Sequence, residues 1–243
     1  MRQYLSFGGG VNSVAMLLML HEQKQDFEAV FVNHGTDWPE TYEYLEMLQG
    51  WLKKRGLPQI TELRPKVKTI EGKVFDNLYD YCFFKRVFPF RQNRACTDRF
   101  KVVALEKYQI PPAWVYIGYA FDEAHRASIQ SKKGLEYRWP LIEHEITRDG
   151  CIEIIKKHGL PVPMKSGCFI CPFQSKAQWK ELRSKHPDLF CKARQLENNY
   201  IEKRASEGKP PLYISSAPLD MVINESQLIL WEADEYPPCN CML

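Results

Sequence analysis

The chain predicts an α/β fold: a doubly wound, mostly parallel sheet with a cysteine-containing C-terminal extension. Two observations carry this. Short apolar strand signals alternate with helical segments over residues 1–130, the pattern of parallel strands joined by crossover helices. A glycine run, Ser6-Phe7-Gly8-Gly9-Gly10-Val11-Asn12-Ser13, also sits between the first strand and the first helix, where such sheets bind ligands.

The first strand signal is Gln3-Tyr4-Leu5-Ser6. The first helix is expected over Asn12–Gln23, and its apolar run Val14–Leu20 reads as a buried helix. Ala29-Val30-Phe31-Val32 forms the second strand. Trp38–Arg55 reads as a helix with Pro39 near its start and Gly56 just past its end. Lys101–Gln109 is the next helix and Trp114-Val115-Tyr116-Ile117-Gly118 the next strand. The carboxyl ends of these strands put Ser6–Ser13, Asn33–Asp37 and Gly118–Arg126 along one rim. Residues 131–175 read as loop-rich with one helix, Arg148–His158, and residues 176–205 as one charged amphipathic helix. From Pro211 the chain is less regular and ends Pro237-Pro238-Cys239-Asn240-Cys241. The expected division is a nucleotide-binding unit over 1–175, holding the cysteine cluster, and a helical extension over 176–243.

Composition narrows the classes. With 243 residues, 44% hydrophobic and 26% charged, the chain has the make-up of a globular α/β protein. No apolar run reaches the roughly 18 residues needed to span a membrane, and a signal peptide is not expected. A net charge of +3 is compatible with nucleic acid without marking a dedicated binder. The eight cysteines (Cys82, Cys96, Cys151, Cys168, Cys171, Cys191, Cys239, Cys241) accompany a nucleotide loop rather than a secretion signal. That favours a reducing cytoplasm and metal-binding or catalytic thiols over disulfides. Cys82, Cys151 and Cys191 lie in apolar or helical contexts and are expected in the core.

The glycine loop lets bare N–H groups approach an anion, and the positive end of the helix dipole and the hydroxyls of Ser6 and Ser13 add to that site. A Walker loop would need a lysine where Val11-Asn12-Ser13 stands, and a dinucleotide fingerprint a different glycine spacing. A glycine turn without ligand is the bland alternative. In Asn33-His34-Gly35-Thr36-Asp37, Asp37 is a candidate for ribose or metal contact, and His34 reads equally as an exposed loop residue. Arg91, Arg94, Arg99 and Lys101 flank Cys96, surroundings that lower a thiol's pKa and attract anions. In Gly118-Tyr119-Ala120-Phe121-Asp122-Glu123-Ala124-His125-Arg126, Asp122 and Glu123 are candidates for ribose or metal, and Arg126 for a bidentate phosphate or sulfate clamp. A Glu123–Arg126 ion pair at helical spacing is the competing reading. The strongest metal signal is Cys168-Phe169-Ile170-Cys171-Pro172, two thiolates within reach of one metal or cluster with the trailing proline of iron–sulfur loops. Zinc, a redox dithiol and two structural cysteines are the rivals.

These segments resemble the phosphoadenosine phosphosulfate (PAPS) reductase-like family of the PP-loop adenine-nucleotide alpha-hydrolases, over roughly residues 3–175. The glycine run resembles the family's Ser-Gly-Gly-x-Asp-Ser loop, with Gly8 at its first Ser and Asn12 at its Asp. The segment from Gly118 to Arg126 resembles its Gly-x-x-x-Asp-Glu-x-x-Arg step, and Arg138-Trp139-Pro140-Leu141 its aromatic-Pro-Leu step. In the iron–sulfur branch a Cys-Cys pair precedes a basic residue and Lys; here Ala95-Cys96 replaces the pair and Lys101 follows. The branch's Glu-Cys-Gly-x-His tail is absent, and Cys239 and Cys241 stand near the end instead.

The resemblance implies a PP-loop (HUP-like) fold. It implies adenine-nucleotide binding by Ser6, Gly8, Gly9, Gly10, Asn12, Ser13, Asp37, Gly118, Asp122, Glu123 and Arg126, with Mg2+ as a further expectation. It implies a [4Fe-4S] cluster on Cys96, Cys168 and Cys171, with Cys239 or Cys241 as candidate fourth ligand, and catalytic roles for Cys241, Cys239 and Lys101. Two activities follow. In one, ATP is cleaved to AMP and pyrophosphate to activate an acceptor, a tRNA, DNA or small molecule, which takes sulfur from a cysteine desulfurase or similar donor. In the other, adenylyl sulfate (APS) or PAPS is reduced to sulfite at the expense of a thioredoxin-like thiol reductant. A non-catalytic nucleotide-sensing subunit is the third reading, suggested by Asn12. A homodimer is a further expectation.

Overall fold

The structure is a computed structural model that describes residues 1–92, 95–127 and 132–224. Its centre is a five-stranded, wholly parallel sheet of β1 (Arg2–Phe7), β2 (Glu28–Val32), β3 (Thr61–Leu63), β6 (Ala113–Ile117) and β7 (Leu135–Arg138), in the order β3-β2-β1-β6-β7. A separate antiparallel hairpin joins β4 (Val67–Lys68) and β5 (Val74–Phe75). The middle strand β1 pairs with β2 at Leu5↔Ala29 and with β6 at Leu5↔Tyr116. Its buried run Tyr4–Phe7 is the continuous apolar signature of a strand covered on both faces. The chain order runs outward from β1 in both directions, so the switch point lies between β1 and β6, where doubly wound sheets open a crevice at their carboxyl ends.

Helix α1 (Val11–Glu22) starts three residues after β1 and is buried from Val11 to Leu20, between the sheet, α2 (Pro39–Lys54) and α7 (Arg148–Lys157). On the opposite face Val30, Val32, Val115 and Ile117 pack with Leu105. Leu105 belongs to the run of α4 (Ala95–Thr97), a π-helical turn (Asp98–Val102) and α5 (Val103–Tyr108). A third cluster joins α3 (Leu78–Lys85) to the C-terminal helices α8 (Lys176–Lys185), α9 (Pro187–Ser206) and α10 (Leu219–Asn224) through Trp38, Phe100, Phe169, Trp179, Leu182 and Leu196. The short helix α6 (Pro140–Glu143) and a 3-10 turn (Phe121–Arg126) complete the rim after β6. Among the described residues, no helix is long and apolar enough to cross a membrane.

Three expectations are corrected. The single helix over 176–205 is two, α8 and α9, because Pro187 lacks a donor and forces His186 out of helical geometry (φ −133°, ψ 66°). The loop-rich stretch 131–175 contains β7, a short edge strand whose partly exposed Glu136 and Arg138 hid it. Cys191 is exposed on α9 rather than in the core, whereas Cys82 and Cys151 are buried as expected.

Candidate functional site

The glycine loop joins β1 to α1 at the switch point. Gly9 has a left-handed backbone (φ +72°), and a Cβ there would also lie 3.0 Å from Thr41 Cγ2, so a side chain would be strained and crowded. Gly118, at the end of β6, lies against the start of α1: a Cβ would come within 3.1 Å of the Ser13 backbone nitrogen. Ser6 and Ser13 are buried, and Ser13 donates its hydroxyl to the Gly10 carbonyl (2.9 Å), closing the first turn. That bond commits the Ser13 hydroxyl and leaves the loop's own N–H groups as donors for an anion.

Two hydroxyls flank the loop that the sequence reading did not single out. Thr41, buried at the start of α2, has an unpartnered hydroxyl oxygen and a methyl beside Gly9. Ser166 Oγ sits 2.8 Å from where a Gly10 Cβ would be. Nothing local marks either residue; folding alone brings them to the loop.

Asn12 is buried and donates its amide to Glu123 Oε2 (2.7 Å), which leaves Asn12 Oδ1 without a partner. Glu123 also pairs with Arg126, whose guanidinium stacks 4.4 Å over the Tyr119 ring. The Glu123–Arg126 ion pair is thus present, and Glu123 ties it to the glycine loop. Asp122 accepts from the Arg148 backbone N–H (3.1 Å) and so caps the start of α7.

Asn33–Asp37 follows β2 as a buried polar turn. Asn33 Oδ1 accepts from Gly35 N–H (2.9 Å) and from the Tyr42 hydroxyl (3.1 Å), and Tyr42 in turn accepts from Asp37 N–H (3.2 Å). His34, nearly sealed from solvent rather than exposed, faces Thr36 Oγ1 (2.7 Å) and Asp37 Oδ2 (3.5 Å). Loss of hydration draws its pKa down to about 4 against the opposing pull of Asp37, with the Lys101 charge adding to the drop. Burial first, then the Asp37 charge, pushes the Tyr42 phenol up.

The cysteine loop is laid along this turn. Asp37 and Cys168 face each other as an antiparallel bridge, Trp38 N–H donates to Gly167 O (3.0 Å) and Phe169 N–H to Thr36 O (2.8 Å). Cys168 Sγ donates to Thr36 Oγ1 (3.0 Å), and a turn bond from Cys171 N–H to Cys168 O (3.0 Å) sets the two thiols on one loop. Arg91 Nε donates to Pro172 O (2.9 Å), which docks Arg91 onto the same loop. Burial raises both thiols, Cys171 to about 11. The nearby Cys96 adds to the Cys171 shift, while Lys101 and Lys165 oppose it.

Cys96, Cys168, Cys171 and Lys101, separated by up to 75 positions in sequence, thus share one electrostatic neighbourhood beside the glycine loop. Among the described residues no group of three or more His, Cys, Asp or Glu converges on a single point as one metal ion requires. A cubane cluster takes each thiolate on a different iron, so its ligands need not meet at a point. The donor set is three soft, partly buried thiols, a type that zinc and iron–sulfur clusters both take. Cys239 and Cys241 lie outside the described residues.

No curated protein matches the chain. Among solved structures it is similar to the U34-tRNA thiolase NcsA from Methanococcus maripaludis with its [4Fe-4S] cluster, at 15% identity over 85% of this chain and 72% of that chain, with a TM-score of 0.41. Residues 2–134 match the phosphoadenosine phosphosulfate reductase domain, more than half of the chain and the part that holds the glycine loop, the Asn33–Asp37 turn and Glu123–Arg126. On that match the chain belongs to the phosphoadenosine phosphosulfate reductase domain family, enzymes that handle sulfur at an adenine nucleotide.

Proposed function

We propose that this chain cleaves ATP to AMP and pyrophosphate to activate an acceptor for sulfur transfer, the acceptor being a nucleic acid or a small molecule. The observation that carries this reading is the laying of the thiol loop across the nucleotide loop: Ser166 meets Gly10 and Cys168 faces Asp37. Nucleotide and sulfur chemistry then share one crevice.

In this reading the N–H groups of Gly9 and Gly10 and the N-terminus of α1 hold the pyrophosphate, with the Thr41 and Ser166 hydroxyls at its sides. Asn12 Oδ1, an acceptor held in place by the bond to Glu123, takes a water of a hydrated Mg2+ rather than the anion itself. Asp37, Gly118 and Asp122 line the nucleoside side of the rim, with Glu123 and Arg126 behind the loop. An acceptor oxygen attacks the alpha phosphorus and pyrophosphate leaves; the outer sulfur of a persulfide from a cysteine desulfurase-type donor then displaces AMP, and a thiol reductant cleaves the S–S bond left behind, releasing the thiolated acceptor and a disulfide. Lys101, near His34 and Cys171, offsets negative charge that builds in the crevice.

Cys96, Cys168 and Cys171 would hold a [4Fe-4S] cluster, which when bound would supply a thiophilic centre beside the nucleotide. Cys239 or Cys241 either completes the ligand set or relays sulfur as a nucleophile. A second reading, reduction of APS or PAPS to sulfite, is favoured by the reductase domain match itself.

The test is the product profile of anaerobically prepared protein given ATP, APS or PAPS in parallel, with a thiol reductant. AMP and pyrophosphate from ATP support the proposal. Sulfite from APS or PAPS without ATP cleavage replaces it with the reductase. Iron and sulfide analysis addresses the cluster: each of Cys96→Ser, Cys168→Ser and Cys171→Ser should lower iron content, and zinc without iron would sink that assignment.

A further inference from the structure

We propose that the β4–β5 hairpin, together with the exposed edge of α3, is a docking surface for a single-stranded segment of RNA at the mouth of the nucleotide crevice. The inference rests on the reading that the acceptor is a nucleic acid. The hairpin is rooted at the site on both sides. It leaves β3 at Arg64, whose charge acts on the Tyr42 hydroxyl beside Asp37, and it returns at Asn77, whose amide donates to Gly35 O (3.3 Å).

Its charge is concentrated. Residues 64–73 carry Arg64, Lys66, Lys68 and Lys73 against the single carboxylate Glu71, with Arg64 turned back to Glu62 (3.7 Å). Glu71 is already taken by Lys85 (2.9 Å). Lys66, Lys68 and Lys73 are exposed, and among the described residues none of them makes an ion pair. The pairing explains the orientation. Val67 sits opposite Phe75, and that face turns inward, with Phe75 against Tyr81 (5.8 Å) and Phe84 (5.3 Å). Lys68 sits opposite Val74, and that face turns to solvent.

Apolar surface is interleaved with these cations. Ile70, at the hairpin tip, is fully exposed at 101%, where turns ordinarily carry polar residues or glycine. Phe83 and Phe84 are 45% and 36% exposed on the adjoining helix; Phe83 stacks on Tyr79, and the Lys73 ammonium lies 4.2 Å over the Phe84 ring. Unpaired lysines beside ring faces take phosphates and splayed bases together. An RNA loop offers such bases, whereas a duplex keeps them stacked inside. An acidic protein would engage the lysines and leave the rings without planar partners.

The test measures binding of the full chain, without ATP, to a fluorescently labelled RNA stem–loop by anisotropy across a salt series. A perfect RNA duplex, single-stranded DNA of the loop sequence and poly-glutamate serve as comparisons. The stem–loop should bind best. The triple variant K66E/K68E/K73E should bind at least tenfold more weakly, with a salt slope shallower by about 2, from ~0.7 per phosphate contact. Phe83→Ala should weaken binding roughly tenfold at unchanged slope. K66Q/K68Q/K73Q, judged against an unchanged thermal midpoint, repeats the slope change without introducing repulsion. The proposal is overturned by failure of the wild-type chain to bind the stem–loop, by unchanged affinity and slope in both triple variants, or by tighter binding of duplex or DNA. Displacement of RNA by poly-glutamate at equal charge would assign the surface to an acidic protein instead. Lost RNA binding with intact ATP cleavage rejects the hairpin alone; intact RNA binding without ATP cleavage rejects the nucleotide chemistry alone.

Discussion

Glu123→Ala removes the acceptor that links the glycine loop to Arg126. Two groups lose an interaction with its carboxylate. Asn12, 6% exposed and already carrying an unpartnered Oδ1, would have its amide unsatisfied as well. An unsatisfied buried donor costs about 1–3 kcal/mol. The Arg126 side chain is 5% exposed and loses its Glu123 carboxylate, and removing one partner of a buried ion pair costs at most about 3–5 kcal/mol. Glu123 itself is 21% exposed, so water reaches part of the gap, and Arg126 keeps its stacking on Tyr119. A total of about 3 kcal/mol is expected, a fall of roughly 6–12 °C in the thermal midpoint for a chain of this size. Differential scanning calorimetry of Glu123→Ala, Arg126→Leu and the double variant checks it. The double variant should be more stable than the sum of the singles implies, because Arg126 no longer lies buried without its carboxylate. A Glu123→Ala midpoint within 1 °C of the wild type, or strictly additive losses, would refute the linkage.

Four further outcomes are expected. Gly118→Ala would drive a methyl to 3.1 Å from the Ser13 nitrogen, and backbone yields little, so nucleotide affinity should drop about tenfold for ~1–3 kcal/mol of overpacking, read by ATP titration calorimetry. Asn12→Asp would set a carboxylate against Glu123 where the amide now donates (2.7 Å); the midpoint should fall by a few degrees in chelator and recover with Mg2+, in a melting series with and without the ion. Thr36→Val should leave His34 Nδ1 and the Cys168 thiol without their shared partner, at about 1–3 kcal/mol by urea unfolding. Because the His34 pKa is about 4 in the folded chain and near 6.5 when unfolded, its contribution is complete above pH 6.5. It declines as pH falls towards 4, by about 3 kcal/mol, and urea midpoints at pH 7, 5.5 and 4.5 should flatten in His34→Gln.

The legible parts of the fold were those with a strong local signature. The apolar strands β1, β2 and β6 and the all-round apolar helix α1 appear within a residue or two of their expected bounds. Strands β3 and β7 escaped because three or four residues with exposed polar side chains carry too little periodicity; they are strands only through pairing with β2 and β6. In the site, the glycine loop was evident between the first strand and helix, whereas Thr41 and Ser166 beside it were not. A threonine after a helix-initiating proline and a serine before a glycine are ordinary residues until β1, α2 and the cysteine loop meet. His34 escaped for the same reason: its burial comes from Thr36, Asp37 and the loop laid over them.

What the sequence determined by itself was local: strand, glycine turn and helix in succession, and a Cys-x-x-Cys loop with two thiols a turn apart. These follow from backbone geometry and spacing among consecutive residues. Only the tertiary structure decided the partnerships. It set Asn12 on Glu123 across 111 residues, Cys168 on Thr36 across 132, and Arg91 on Pro172 of the cysteine loop. Such pairs arise where apolar clusters pack the elements together. The sum of those many weak contacts, rather than any neighbouring residue, selects which polar side chains are buried face to face.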